Sequence, residues 1–134
     1  MKKKIDYKKQ GKSNRAKGAR FELKVRKDLE SKGWIVLKNP NNIIDNKFKQ
    51  AKSKYNPFTK RLMMNSAGFP DFICFKRIIN KSLYEVIGVE VKSNGYLDKI
   101  EKEKCSWIIE KNIFSKIIII SKGKKRGEII YKEF

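Results

Sequence analysis

The chain has 134 residues, room for one domain with a single sheet and helices on it, and too little for two ordinary cores. Its 34 lysines and arginines against 14 aspartates and glutamates leave a formal net charge of +20, a field that attracts polyanions and makes nucleic acid the leading partner. The longest aliphatic run is only Ile117 to Ile120, and the lysines after Met1 have no apolar segment behind them, so neither a membrane span nor a secretion signal is expected and the cytoplasm is the expected compartment.

Residues 1–13 are polar and lysine-rich, with too little apolar surface to offset the entropy of ordering, and are expected to form a basic flexible arm. From about Asn14 to Ser31, Phe21, Val25 and Leu29 recur at the spacing of an amphipathic helix, with Gly33 as its stop. Glu22 lies one residue, about 100°, from that stripe and so flanks the buried face. Trp34-Ile35-Val36-Leu37 is a short strand ended by Asn39-Pro40-Asn41-Asn42. Residues 39–67 form a polar and basic insertion with scattered aromatics (Phe48, Tyr55, Phe58), expected to be a nucleic-acid-contacting flap or a partly helical segment.

Phe72-Ile73-Cys74-Phe75 reads as a buried strand, with Pro70 tolerated at its entrance. From Tyr84 to Lys92 the residues alternate, Ile87, Val89 and Val91 to one face and Val86, Gly88, Glu90 and Lys92 to the other. After Asn94-Gly95 comes a helix from Leu97 to about Lys111, with Ile100, Trp107 and Ile108 toward the core. Ile117 to Ile120, apolar on both faces, suits the middle of a parallel pair reached through that helix, and Gly127 to Tyr131 supplies a last strand. The fold class is α/β, in the order helix, three strands, helix, two strands, with no internal repeat. The two cysteines, Cys74 and Cys105, lack CxxC spacing and the chain has no histidine, so both are expected to be buried thiols in a reducing compartment and not a disulfide or a zinc site.

Three pieces carry chemistry. Asp71 opens one strand and Glu90 closes the next, 90 − 71 = 19 positions later, so a strand, a turn and a returning strand set the two carboxylates side by side at one sheet edge. Lys92 shares a face with Glu90 by the period of two, and Glu22 approaches from the first helix. Two carboxylates with waters and substrate phosphate suit Mg²⁺ or Mn²⁺, and the Val91 backbone carbonyl can complete the shell. In that setting Asp71, Glu90 and Val91 are the metal ligands, Lys92 stabilises charge or orients water, and Glu22 holds a metal-bound water or a second metal. Taken singly, each piece has an ordinary reading: a solvated Glu-Val-Lys strand end, a Pro-Asp turn, a Glu22–Arg26 surface pair. Lys12, Arg15, Lys17 and Arg20 precede Glu22 and are the expected phosphate contacts.

With Lys17-Gly18-Ala19-Arg20-Phe21-Glu22, Gly68-Phe69-Pro70-Asp71 and Gly88-Val89-Glu90-Val91-Lys92-Ser93 in this order, the chain from about Asn14 onward resembles the PD-(D/E)XK nucleases, and among them the archaeal-type Holliday junction resolvases and the VRR-NUC domains. The resemblance implies a restriction-endonuclease-like αβββαβ core, a mixed central sheet flanked by helices, with Asp71 and Glu90 as metal ligands, Lys92 as the catalytic lysine and Glu22 as the helix-borne acid. It implies a Mg²⁺-dependent endonuclease on branched DNA, acting as a homodimer with no small-molecule cofactor. Many relatives place a Gln in the helix after the lysine strand, where this chain has Glu101, Lys102, Glu103 and Lys104. A restriction-like, nicking or repair nuclease on the same fold, and a non-catalytic basic nucleic-acid binder, are the other two readings.

Overall fold

The structure is a computed structural model that describes residues 5–52, 54–63 and 68–134. Helix α1 spans Tyr7–Ser31 and starts at Asp6, whose carboxylate accepts hydrogen bonds from the Lys8 and Lys9 N–H groups at 3.1 and 3.2 Å. The expected start near Asn14 is therefore corrected: residues 7–13, assigned to the basic arm, are helical, because an N-cap aspartate satisfies otherwise orphaned amides. Residues 12–20 nevertheless stay exposed, and only Phe21, Val25 and Leu29 are buried. The first half of α1 thus projects basic side chains into solvent while the second half packs. Each of those three buried side chains contributes about 2 kcal/mol of apolar transfer. The helix ends at Lys32, and Gly33, at φ +88°, takes the left-handed turn that sends the chain back toward the sheet.

Strands β1 (Ile35–Lys38), β6 (Phe72–Arg77), β7 (Tyr84–Val91), β8 (Lys116–Lys122) and β9 (Ile129–Glu133) form a mixed five-stranded sheet in the order β1-β6-β7-β8-β9. β7 and β8 are the parallel pair, joined through helix α2 (Lys99–Glu110), and the other neighbours are antiparallel. The isoleucine run divides between the two faces as a central strand requires. Ile120 joins Phe21, Val25, Leu29, Phe72, Cys74, Ile87 and Val89 on the α1 side, and Ile117 and Ile119 pack with Cys105, Ile108, Phe69 and Phe114 on the α2 side. The architecture is an α/β mixed sheet flanked by a helix on each face.

Two expectations need correction. Ile100, expected in the core, is 63% exposed; α2 instead buries Cys105 and Ile108, with Leu97 and Trp107 partly covered beside them. The described part of the 39–67 insertion is not helical. It forms two hairpins, β2 (Asn41–Ile44) with β3 (Lys47–Gln50), and β4 (Lys54–Asn56) with β5 (Arg61–Met63); Ser53 and residues 64–67 lie outside the described residues. Asp45 and Asn46, at φ +51° and +55°, make the two-residue turn of the first hairpin, the conformation that matches strand twist. Ile43 and Phe48 then pack onto the α2-side core, with Phe48 edge-to-face on Phe114 at 6.0 Å.

Candidate active site

β6 and β7 pair with Phe72 opposite Val89, so Asp71 and Glu90, each one step further, face one another where the two strands end. Backbone hydrogen bonds lock them there. The Asp71 N–H donates to Glu90 Oε2 at 3.1 Å and the Val91 N–H donates to Asp71 Oδ2 at 2.8 Å, so each carboxylate is held by the other strand and keeps its second oxygen for a ligand. Asp71, Glu90, Val91 and Lys92 share a cleft of about 270 Å³ with Ser93 and with Gly18, Phe21 and Glu22 of α1. All four expected catalytic residues therefore line one cleft, the two strand carboxylates each bonded to the backbone of the other strand and Glu22 on the α1 side. Among the described residues no group of three or more His, Cys, Asp or Glu is gathered closely enough to hold a metal ion by itself.

Burial first, and then the negative charge of Asp71, pushes the Glu90 carboxyl up to about 8. Asp71 is also raised, chiefly by burial; the Val91 N–H opposes that shift and the Glu22 carboxylate adds to it. A buried and a half-buried carboxylate side by side cannot both ionise cheaply without a proton or a cation near them. Their hard oxygen donors fit a divalent cation of the Mg²⁺ or Mn²⁺ kind.

Comparison of the chain with protein-family models, curated proteins and solved structures finds no match.

Three residues at the site were not anticipated. Lys38, on β1, ion-pairs with Glu22, whereas Arg26, the expected partner, bonds Glu30 at 2.9 Å. Glu22 thus stands at the cleft wall as one half of an ion pair.

Asn39, which reads in the sequence as a turn residue, is 1% exposed and clamps the approach to Asp71. Its amide nitrogen donates to the Pro70 and Asn41 carbonyls at 2.7 and 3.1 Å, its oxygen accepts from the Asn41 N–H at 2.9 Å, and its own N–H donates to the Asp71 carbonyl at 3.0 Å. Gly68 lies so close that an added Cβ would sit 1.6 Å from the Asn39 carbonyl oxygen, which explains the glycine in Gly-Phe-Pro-Asp. Asn39→Ala leaves the Pro70 carbonyl without its buried donor. It is expected to cost about 1–3 kcal/mol in denaturant unfolding, with a wild-type midpoint as the contrary result.

Glu101 is the third. It sits in the capping box of α2, its Oε1 accepting from the Asp98 N–H at 3.3 Å, while its Oε2 meets the Lys92 ammonium at 2.5 Å. The sequence signal is Asp98-x-x-Glu101, a pattern that places the acid in the first turn of a helix following β7. Burial pulls the Lys92 ammonium down, but the Glu101 carboxylate more than compensates and holds it above its usual range. Glu101 thus holds the Lys92 ammonium in place. Glu101→Gln keeps the cap and removes the charge, so the Lys92 side chain should titrate at lower pH when followed by NMR; an unmoved titration would reduce the pair to a surface contact.

Of the expected phosphate contacts, Lys12, Arg15, Lys17 and Arg20 are all exposed on α1, and Lys17 and Arg20 adjoin the cleft through Gly18 and Phe21. Cys74 and Cys105 are free and buried on opposite faces of the sheet, and burial pushes both thiols up to about 12, which leaves them unreactive. Among the described residues no helix is long and apolar enough to cross a membrane.

Proposed function

We propose that the chain is a divalent-cation-dependent endodeoxyribonuclease with a restriction-endonuclease-like core, selective for four-way DNA junctions and acting as a homodimer. The observation that carries this reading is the contact of Asp71 with Glu90 at the ends of two paired strands, in one cleft with Lys92 and Glu22. Asp71 and Glu90 would hold the cation through the oxygens not bonded to the backbone, with the Val91 carbonyl beside them. When bound, the ion supplies charge neutralisation and an acidified water for phosphodiester hydrolysis. Lys92 carries positive charge to the non-bridging oxygens as they gain negative charge, and Glu101 keeps it aimed. Glu22 orients water from the α1 side.

A surface of net charge +20 grips phosphates without reading bases, which favours a substrate recognised by shape. Two sites in a symmetric dimer would meet two strands of a junction. Competition between a labelled four-way junction and linear duplex under Mg²⁺ tests the substrate: preferential paired incisions in the junction support the proposal, and equal cutting of plain duplex would move the chain to a restriction-like or repair nuclease. Lys92→Ala should lower the single-turnover rate by about a hundredfold with little change in metal affinity, because its charge acts on the transition state. A fully active variant at saturating metal would remove Lys92 from the mechanism.

A further inference from the structure

Beside the cleft, on the far side of Phe21, lies a larger groove of about 740 Å³ between α1 and the turn that joins β8 to β9. Lys17, Arg20 and Lys24 line it from the helix, and Lys122, Lys124, Lys125 and Arg126 from the hairpin. Among the described residues none of these seven basic groups forms an ion pair. The one acid in the lining, Glu128, is turned back on its own loop, where its carboxylate accepts from the Lys125 N–H at 3.1 Å. The groove is also built to hold its shape. Lys24 Nζ donates to the Gly127 carbonyl at 3.1 Å and ties the turn to α1, and the Lys122 ammonium sits 5.1 Å from the centroid of the Phe21 ring.

Unpaired like charges gathered in a concave wall repel one another and gain most from a polyanion that runs along them. Phe21 borders both the groove and the catalytic cleft, so the two spaces adjoin. We propose that this groove is the track for one DNA strand leaving the active site, with the Lys124-Lys125-Arg126 turn as its outer phosphate clamp. The identity of the polyanion rests on the nuclease reading above; the groove itself rests on the charges and their arrangement.

The test is equilibrium binding of a fluorescent four-way junction in EDTA across a salt series, which needs no catalysis. It compares the wild type with a triple variant, Lys124→Ala, Lys125→Ala and Arg126→Ala, and with a control triple of exposed lysines elsewhere, Lys81→Ala, Lys102→Ala and Lys111→Ala. All six side chains are exposed, so neither variant is expected to unfold. The turn variant should bind about tenfold more weakly at moderate salt, with the slope of log affinity against log salt flattened by about two to three units, while the control loses much less. Loss of binding in the turn variant supports the groove even if the wild type proves unable to cleave DNA, a result that would overturn the nuclease reading alone. Wild-type affinity and slope in the turn variant, or an equal loss in the control, would each overturn the groove as a DNA track.

Discussion

Asp71→Asn and Glu90→Gln are each expected to lower the single-turnover cleavage rate by about a thousandfold or more while binding the junction like the wild type. The expected loss corresponds to about 4 kcal/mol of transition-state stabilisation, the scale on which removal of a principal electrostatic group is felt. Both changes conserve size, and each keeps an oxygen able to accept the backbone N–H that now holds the carboxylate. The fold should survive. On the proposed reading, what is lost is the negative charge that a cation needs, not a contact to DNA. Gel-shift affinity and quenched-flow cleavage on the same preparation check both halves, and wild-type cutting by either variant would remove that residue from the centre.

The same pair makes a prediction about stability without any substrate. Glu90 is raised from 4.5 to about 8, and Asp71 shifts in the same direction, mainly through burial. A carboxyl raised on folding stabilises the protein in its protonated form: that stability is complete below the unfolded value and is lost as pH rises through the folded value. In EDTA the melting temperature should therefore fall between pH 4.5 and about 8, by an amount on the order of a few kcal/mol in unfolding free energy. Glu90→Gln should flatten that fall, since the amide does not titrate. Mg²⁺ should restore the wild type at pH 8 and leave Glu90→Gln nearly unchanged, because a ligand that binds only the folded state stabilises by mass action. A wild-type melting temperature independent of both pH and Mg²⁺ over this range would show that the two carboxyls do not interact as the structure places them.

Much of the site is legible in the sequence because strand geometry is so regular. A period of two sets Glu90 and Lys92 on one face, and antiparallel pairing brings Asp71 opposite Glu90 once the turn between their strands is recognised. Phe21, Val25 and Leu29 place Glu22 by the same kind of argument for a helix. Legibility fails where a residue's role depends on a distant partner. Asn39 looks like any turn asparagine until the Pro70 carbonyl arrives above it, and Glu101 looks like a solvated cap until β7 delivers Lys92. The first hairpin is hidden because its turn is Asp-Asn and not Asn-Gly, and because only Ile43 and Phe48 reveal its buried side. The early start of α1 rests on one aspartate, Asp6, among lysines that carry no periodic signal. Ile100 shows the opposite failure: hydrophobicity suggested burial, but the register set by Cys105 and Ile108 turns it outward.

If Asp71, Glu90 and Lys92 form a cation-dependent phosphodiesterase centre, incubating the purified protein with an end-labelled four-way junction in Mg²⁺, in Mn²⁺ and in EDTA should give discrete strand incisions with either metal and none in EDTA. Those incisions should be abolished in Glu90→Gln. Tight binding with no incision in either metal, or incision that persists in EDTA, would contradict that assignment.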